Sequence, residues 1–400
     1  MDKIILLTAV FGLSLISQAL TLDEALAVAQ QSSPALRVAR TEQEAASYRL
    51  AAAGLWKNPV LDLEGEGIGG DNDHFDEGEY GVGLKQTVPF GGQSKHQRGV
   101  ARQALEGATH SIAETETLLY AKVRAAFYEA LAQQEIAKVR DKQEKLGREF
   151  IAVAEERIAA GGGSEMDLIQ ANLALEEILL EKACCFGDLD AAKKELASLM
   201  GVELKEIGTP TGDFYELKKE VPVEVDVMHP TLQRLRARSE QARSEAALVK
   251  SQSYGDLKLG AGVKYEPADD AHSFVVSAMI PLPFGKRGRL EQAAALLQAD
   301  ALSARAEQAR LNLQLQLTKA AQDFQRTAEE AAQYKNRMLP MAEHAYELSR
   351  KGYDAGRYSW LELVTTQHDL AALRVRYIES LLVAHKSSAQ LDQFRTGELK

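Results

Sequence analysis

Apolar residues recur in steps of seven at Leu105, Ile112, Leu119 and Ala126, and again at Val139, Leu146 and Val153. A seven-residue period keeps one stripe on one side of an α-helix, so the spacing predicts a coiled-coil seam. The helix so marked runs from about Gln93 to Ala160, roughly 100 Å at 1.5 Å per residue. A matching helix is expected over about Arg289–Ala355. Within it Leu311, Leu313, Leu315 and Leu317 alternate like a strand, but they also form i, i+4 pairs, and their flanks favour helix. Shorter helices are expected over Leu22–Ala53, opened by Thr21 as N-cap, and over Glu165–Leu199. End to end, these two are about as long as Gln93–Ala160.

Four other runs have period two. From Val60 to Ile68, Leu61, Leu63, Gly65 and Gly67 alternate with Asp62, Glu64 and Glu66. From Tyr80 to Val88, Tyr80, Val82, Leu84, Gln86 and Val88 alternate with Gly81, Gly83, Lys85 and Thr87. Leu257, Leu259, Ala261, Val263 and Tyr265 alternate with Lys258, Gly260, Gly262, Lys264 and Glu266. Ser273–Ile280 is apolar on both faces. Each run has the length of a tilted transmembrane strand. Trp56, Phe90, Tyr254 and Phe284 sit near one end, and Phe75, Tyr80, Tyr265 and Phe274 near the other, like two interfacial girdles. Hairpins packed on helices would be the plainer reading, but it leaves the charged alternate positions unexplained. A bilayer tolerates no open sheet edge, and four strands cannot close a barrel. Strands that span the membrane therefore require a homo-oligomer.

The chain is a duplication at an offset near 195. Ser33-Pro34-Ala35-Leu36 faces His229-Pro230-Thr231-Leu232, Leu61-Asp62-Leu63 faces Leu257-Lys258-Leu259, and Pro89-Phe90-Gly91 faces Pro283-Phe284-Gly285. Ala160-Gly161 faces Ala355-Gly356, and the register continues through Ser164/Ser359, Asp167/Glu362, Leu168/Leu363 and Leu175/Leu370. A repeat takes precedence over other fold assignments. The expected organisation is a signal peptide over 1–19, a first repeat over 20–201, a linker over 202–228, a second repeat over 229–395 and a tail over 396–400.

Composition narrows the function. The 400 residues carry 47 basic and 58 acidic side chains, a formal net charge of −11, which disfavours a nucleic-acid binder. Apolar residues at 45% exclude a disordered chain. Met1-Asp2-Lys3, the apolar run Ile4–Ile16 and Ser17-Gln18-Ala19 read as an export signal cleaved after Ala19. Cys184 and Cys185 are adjacent within an expected helix and point apart, so they read as small buried residues rather than a disulfide. Gly65-Glu66-Gly67-Ile68-Gly69-Gly70 matches a dinucleotide motif. It runs into Asp71–Glu79, which would repel phosphate, so an extracellular loop is the better reading. The eight histidines have no metal-ligand spacing. No catalytic, cofactor or metal site is expected, and the chain does not read as an enzyme.

The order of these elements resembles the outer-membrane efflux protein family, the TolC-like trimeric channels, over nearly all of the mature chain. The resemblance is carried by Leu22-Asp23-Glu24-Ala25-Leu26 with Ser33-Pro34, by the duplicated strand pairs, and by two glycine turns. These turns are Ala160-Gly161 through Ser164 to Asp167-Leu168, and Tyr353-Asp354-Ala355-Gly356-Arg357-Tyr358-Ser359-Trp360-Leu361-Glu362-Leu363. The resemblance implies a mainly α fold with β-strands. Three copies would share a twelve-stranded outer-membrane barrel, and long helical hairpins would form a periplasmic α-barrel. It implies a passive exit duct, with a periplasmic adaptor and an RND-type inner-membrane pump as partners and outer-membrane lipid around the barrel. Heavy-metal cations are the suggested cargo. A type I secretion or multidrug duct stays open, and a pore-less periplasmic coiled-coil protein is the contrasting reading.

The resemblance also implies that Gly161, Ser164, Asp167, Leu168, Gly356, Ser359, Glu362 and Leu363 form the periplasmic tips where the adaptor docks. Asp167, Tyr353, Tyr358 and Glu362 are the gate candidates. Tyr358 stands where the best-known members carry a gating arginine, and Thr365 where they carry a second acid. The residues themselves support turns: Gly161, Gly162, Gly163 and Gly356 tolerate positive φ, and Ser164 and Ser359 can cap the returning helices. Asp167 and Glu362 lie three residues on, so both also read as capping-box acids.

Overall fold

The computed structural model describes residues 19–67, 78–162, 164–217, 224–282 and 285–394. Outside them lie residues 1–18 of the expected export signal, the acidic stretch Asp71–Glu77 with Phe75, Gly163, Pro222, Pro283 and Phe284, and the expected tail. In chain order the elements are β1 (Ala19–Leu20), α1 (Leu22–Ser32), α2 (Pro34–Ala52), β2 (Val60–Glu66), β3 (Glu79–Pro89), α3 (Gln93–Ala159), α4 (Glu165–Met200) and β4 (Thr209–Pro210). There follow α5 (Pro230–Gln252), β5 (Asp256–Glu266), β6 (Ala271–Met279), α6 (Arg287–Gln333), a π-helical turn at Tyr334–Met338, α7 (Leu339–Asp354) and α8 (Trp360–Asp392). The chain forms two compact units, and each draws on both repeats.

One unit comprises residues 38–114 and 227–312. Its centre is an antiparallel sheet of order β2-β3-β5-β6. The two repeats meet inside it, because β3 pairs with β5 from Tyr80↔Tyr265 to Pro89↔Asp256. β2 and β6 are its edges. Beside the sheet, the Gln43 amide donates to Thr109 Oγ1 at 3.1 Å, Arg234 pairs with Glu114, and Ser239 Oγ donates to the Ala299 carbonyl.

The other unit comprises residues 1–37, 115–226 and 313–400. Phe127, Val123, Leu196 and Leu36 are among its most buried side chains. The segment joining the repeats is strapped to this core. β4 pairs in parallel with β1, and Thr211 N donates to the Leu20 carbonyl at 2.8 Å. Phe214 is buried, and its carbonyl lies 2.8 Å from His385 Nε2. A carbonyl only accepts, so this nitrogen carries the proton. The imidazole stacks on Tyr128 at 3.8 Å between centroids, and burial holds its pKa below the ordinary value. Tyr215 Oη donates to Glu135 Oε2 at 2.8 Å.

Four expectations are corrected. The single helix Leu22–Ala53 is two, because Pro34 disfavours the α conformation at Ser33, which sits at ψ 126°. The helix expected over Arg289–Ala355 is interrupted at Tyr334–Met338, where Leu339 N reaches back to Tyr334 O. Pro340 cannot donate to the carbonyl of Asn336, and a wider turn relieves the clash of its ring with that group. The stretch Leu311–Leu317 is helical as expected. Of the adjacent cysteines only Cys185 is buried, with its Sγ 3.7 Å from the Gln133 carbonyl, whereas Cys184 is exposed. Adjacent residues on a helix point about 100° apart, so one face cannot bury both. The capping box expected at Asp167 is absent, for the reason given below.

Candidate functional site

The two glycine turns share one backbone solution. After α3, Gly162 N donates to the Arg157 carbonyl and Gly161 N to that of Ile158, and Gly161 has φ +75°. After α7, Arg357 N donates to the Gly352 carbonyl and Gly356 N to that of Tyr353, with Gly356 at φ +70°. Each is a Schellman ending, in which a left-handed residue turns the last amides back onto free carbonyls. Neither glycine has anything near the space of a Cβ, so backbone conformation alone selects glycine at both.

The returning helices start differently. Ser359 Oγ accepts from Glu362 N at 3.3 Å, and the Glu362 carboxylate accepts from Ser359 N at 2.7 Å and Ser359 Oγ at 2.9 Å. This is a full capping box. Its backbone hydrogen bond, then its hydroxyl hydrogen bond, hold the Glu362 carboxyl below its usual pKa. At the first turn Ser164 Oγ accepts from Met166 N at 3.2 Å, while Asp167 N donates to the Ser164 carbonyl. Aspartate is one methylene shorter than glutamate, too short to close the box, so Asp167 remains a half-buried acid in the first turn of α4.

A small apolar cluster joins the two turns. Trp360 (5% exposed), Tyr353 (7%), Leu363 and Ala171 are buried together, with Phe150, Ile151, Tyr346 and Val364 packed around them. Trp360 meets Phe150 edge to face at 5.2 Å and Tyr353 at 5.8 Å. The Arg157 guanidinium lies 4.2 Å over the Tyr353 ring. Of the gate candidates, then, Tyr353 is part of this cluster, Glu362 is held by its own cap, Asp167 is half-buried and Tyr358 is exposed. Tyr358 lies against Gly352, where a Cβ would stand 2.1 Å from its ring. Sequence reasoning missed Arg157, Phe150 and Gly352, whose role depends on contacts across the repeats or across the turn. The one available signal was Trp360, an aromatic at the first position of a helix that would otherwise be solvated.

In the other unit, the sheet has two unlike faces. One carries Leu61, Leu63, Val82, Leu84, Leu259 and Val263, all exposed, together with Phe274 at 91% and Val276 at 84%. A solvated sheet would not leave so broad an apolar face bare. The opposite face is charged: Lys85 joins Asp62 and Glu64, and Lys264 joins Glu66 and Glu79. Val275 and Met279 of β6 interrupt this second face, as the sequence implied. Among the described residues no helix is long and apolar enough to cross a membrane, and no cluster of histidine, cysteine and acids suits a metal ion.

Comparison with known proteins gives a consistent result. The profile of the family described as "Outer membrane efflux protein" matches residues 25–202 and 221–395. The cobalt-zinc-cadmium resistance protein CzcC of Cupriavidus metallidurans is 23% identical over 378 residues, covering 94% of this chain and 89% of that protein. Among solved structures, CusC aligns with a TM-score of 0.77 at 16% identity, over 92% of this chain and 90% of that one. The CmeC outer membrane channel of Campylobacter jejuni aligns at 0.78 and 13% identity, over 93% and 85%. The open-state MtrE channel of Neisseria gonorrhoeae aligns at 0.74 and 15%, over 93% and 88%. At these identities the structural likeness establishes the fold.

Proposed function

Because the chain belongs to the outer membrane efflux protein family, we propose that it is a passive exit duct whose sheet is one third of a trimeric barrel. The observation that carries this reading is the sheet itself: four strands, one exposed apolar face, one charged face, and two unpaired edges, β2 and β6. Unpaired edges are not tolerated in lipid. Pairing β2 of one copy with β6 of the next closes the sheet, and three copies give twelve strands. The apolar face then meets lipid and the charged face lines the pore.

The helical unit, which carries the two Schellman turns, lies in the periplasm on this reading. There Gly161, Ser164, Asp167, Leu168, Gly356, Ser359, Glu362 and Leu363 receive an adaptor, which links the duct to an RND-type pump. Asp167 is the side chain best suited to act at the pore mouth, since no capping box holds its carboxylate. Three copies would set a ring of negative charge that favours cations. Heavy-metal cations are the cargo that fits this charge and the likeness to CzcC. Transport energy comes from the pump, and the duct performs no chemistry.

The test is extraction from the outer membrane of an expressing Gram-negative cell, followed by native mass and bilayer conductance. A species of three chain masses that conducts supports the duct. A soluble periplasmic monomer or dimer overturns it in favour of the pore-less coiled-coil protein.

A further inference from the structure

The two ends of the sheet have opposite charge. At the end away from the helices stand Glu66, Glu79, Glu266, Asp269 and Asp270, with Lys264 among them. At the helical end, the exposed rings of Trp56, Phe90 and Tyr254 come first. The exposed bases Lys57, Lys250, Lys286, Arg287 and Arg289 lie just beyond. Of these five, only Arg287 makes an ion pair among the described residues, a surface pair with Glu291 one turn away. Such a basic rim on a chain of net charge −11 is a local departure from the rest of the molecule.

The rim includes a groove of about 960 Å³ between the end of α5 and the start of α6, lined by Tyr254, Leu282, Arg287, Arg289 and Gln298 among others. One wall continues the apolar face of the sheet. Phe274, Val276 and Ala278 share that face of β6; just past the strand Ile280 and Leu282 are exposed, and Leu282 lines the groove. A ligand seated here meets the guanidinium of Arg289 and that of Arg287, which it shares with the Glu291 carboxylate in the same lining, at one end and exposed apolar side chains at the other. Guanidinium forks match phosphate oxygens, and the apolar row runs onto the surface assigned to lipid.

We propose that this rim binds the phosphate headgroup of an anionic phospholipid in the leaflet that faces the helical end, with the acyl chains lying along Ile280 and Leu282. The inference rests on the reading that the sheet spans the membrane. It assigns the groove a ligand class, and it explains why the bases gather at one end of the strands: each lysine or arginine near an anionic surface adds attraction to it.

The test is native mass spectrometry of the purified full-length protein in detergent, titrated separately with dioleoyl-phosphatidylglycerol, with dioleoyl-phosphatidylcholine and with inorganic phosphate. The expected result is preferential retention of phosphatidylglycerol, reduced roughly tenfold in an Arg287→Gln/Arg289→Gln variant and unchanged in a Lys193→Gln/Lys194→Gln control on the other unit. Inorganic phosphate at millimolar level should compete only weakly. Equal retention of the two lipids by the wild type, or an undiminished preference in the double variant, overturns the proposal, as does full displacement by free phosphate. A neighbouring copy seated in the groove, seen by cross-linking through a Gln298→Cys probe, overturns it too. Those outcomes leave an oligomer extracted from the outer membrane intact, whereas a protein recovered only as a soluble species refutes the membrane reading itself.

Discussion

Trp360 provides the most direct test of how the two turns hold together. Its side chain is 95% buried against Phe150 and Tyr353, between the start of α8 and the long helix of the first repeat. Burying an indole removes about 200 Å² from water, and at about 25 cal/mol per Å² that is worth roughly 5 kcal/mol. Measured truncations of core aromatics cost about 3–5 kcal/mol, the spread reflecting how far the site collapses. The Trp360→Ala variant should therefore lose about 4 kcal/mol of local stability, near a thousandfold in the equilibrium for opening the turn. Trp360→Phe keeps a ring for both aromatic contacts and should lose about 1–2 kcal/mol. Hydrogen exchange followed by mass spectrometry reads this directly. Amides of residues 350–366 should exchange far faster in Trp360→Ala, modestly faster in Trp360→Phe, and those of the Phe127–Leu196 core not at all. Unchanged exchange across 350–366 in the alanine variant would refute the idea that this cluster ties the turns together.

Other consequences are as open to measurement. Ser359→Ala should cost about 1 kcal/mol of α8 stability and loosen its first turn in the same exchange experiment, whereas Asp167→Asn should leave the start of α4 unchanged. Because the folded pKa of Glu362 is depressed, its contribution is complete above the ordinary value of 4.5 and is lost as pH falls through the lower folded value. Exchange at 359–363, corrected for the intrinsic rate, should accelerate only once the pH has fallen below the ordinary value of 4.5. Placing arginine at Phe274, on the apolar face, should cost about 2–4 kcal/mol and lower the amount assembled in the outer membrane, while Ser277→Arg on the charged face should be tolerated. Asp392→Asn strands the largely buried Arg124 and should cost about 3–5 kcal/mol in thermal unfolding.

Local patterns were readable in the sequence because local physics writes them. The heptads of α3, the alternation of β2, β3 and β5, and the left-handed glycines Gly161 and Gly356 appear at their expected places. Ser359 with Glu362 was readable as a box because side-chain length and spacing decide it. The same spacing misled at Asp167, where one methylene fewer breaks the motif. Pro34 was visible, but the run of helix formers around it concealed that Ser33 ends α1. What was not legible depends on distant contacts. Tyr353 became a cluster residue only once Arg157, nearly two hundred positions away, was known to cover it. The strap through Phe214 and His385 looked like a plain linker, because proline and glycine mark irregular backbone without saying what it packs on. The pairing of β3 with β5 follows from closure of the sheet, which no single strand encodes.

The π-turn at Tyr334–Met338 also accounts for a difference in length between the two halves. A π-turn holds one more residue than the α-turn it replaces. The offset between the repeats is 194 at Pro89/Pro283 and 195 at Ala160/Ala355. The second long segment is thus one residue longer than the first, and the wide turn takes up that residue without displacing the glycine turn beyond it. Deleting one residue between Tyr334 and Met338 should remove the wide turn and keep the Gly356 turn in register, leaving a proline kink at Pro340.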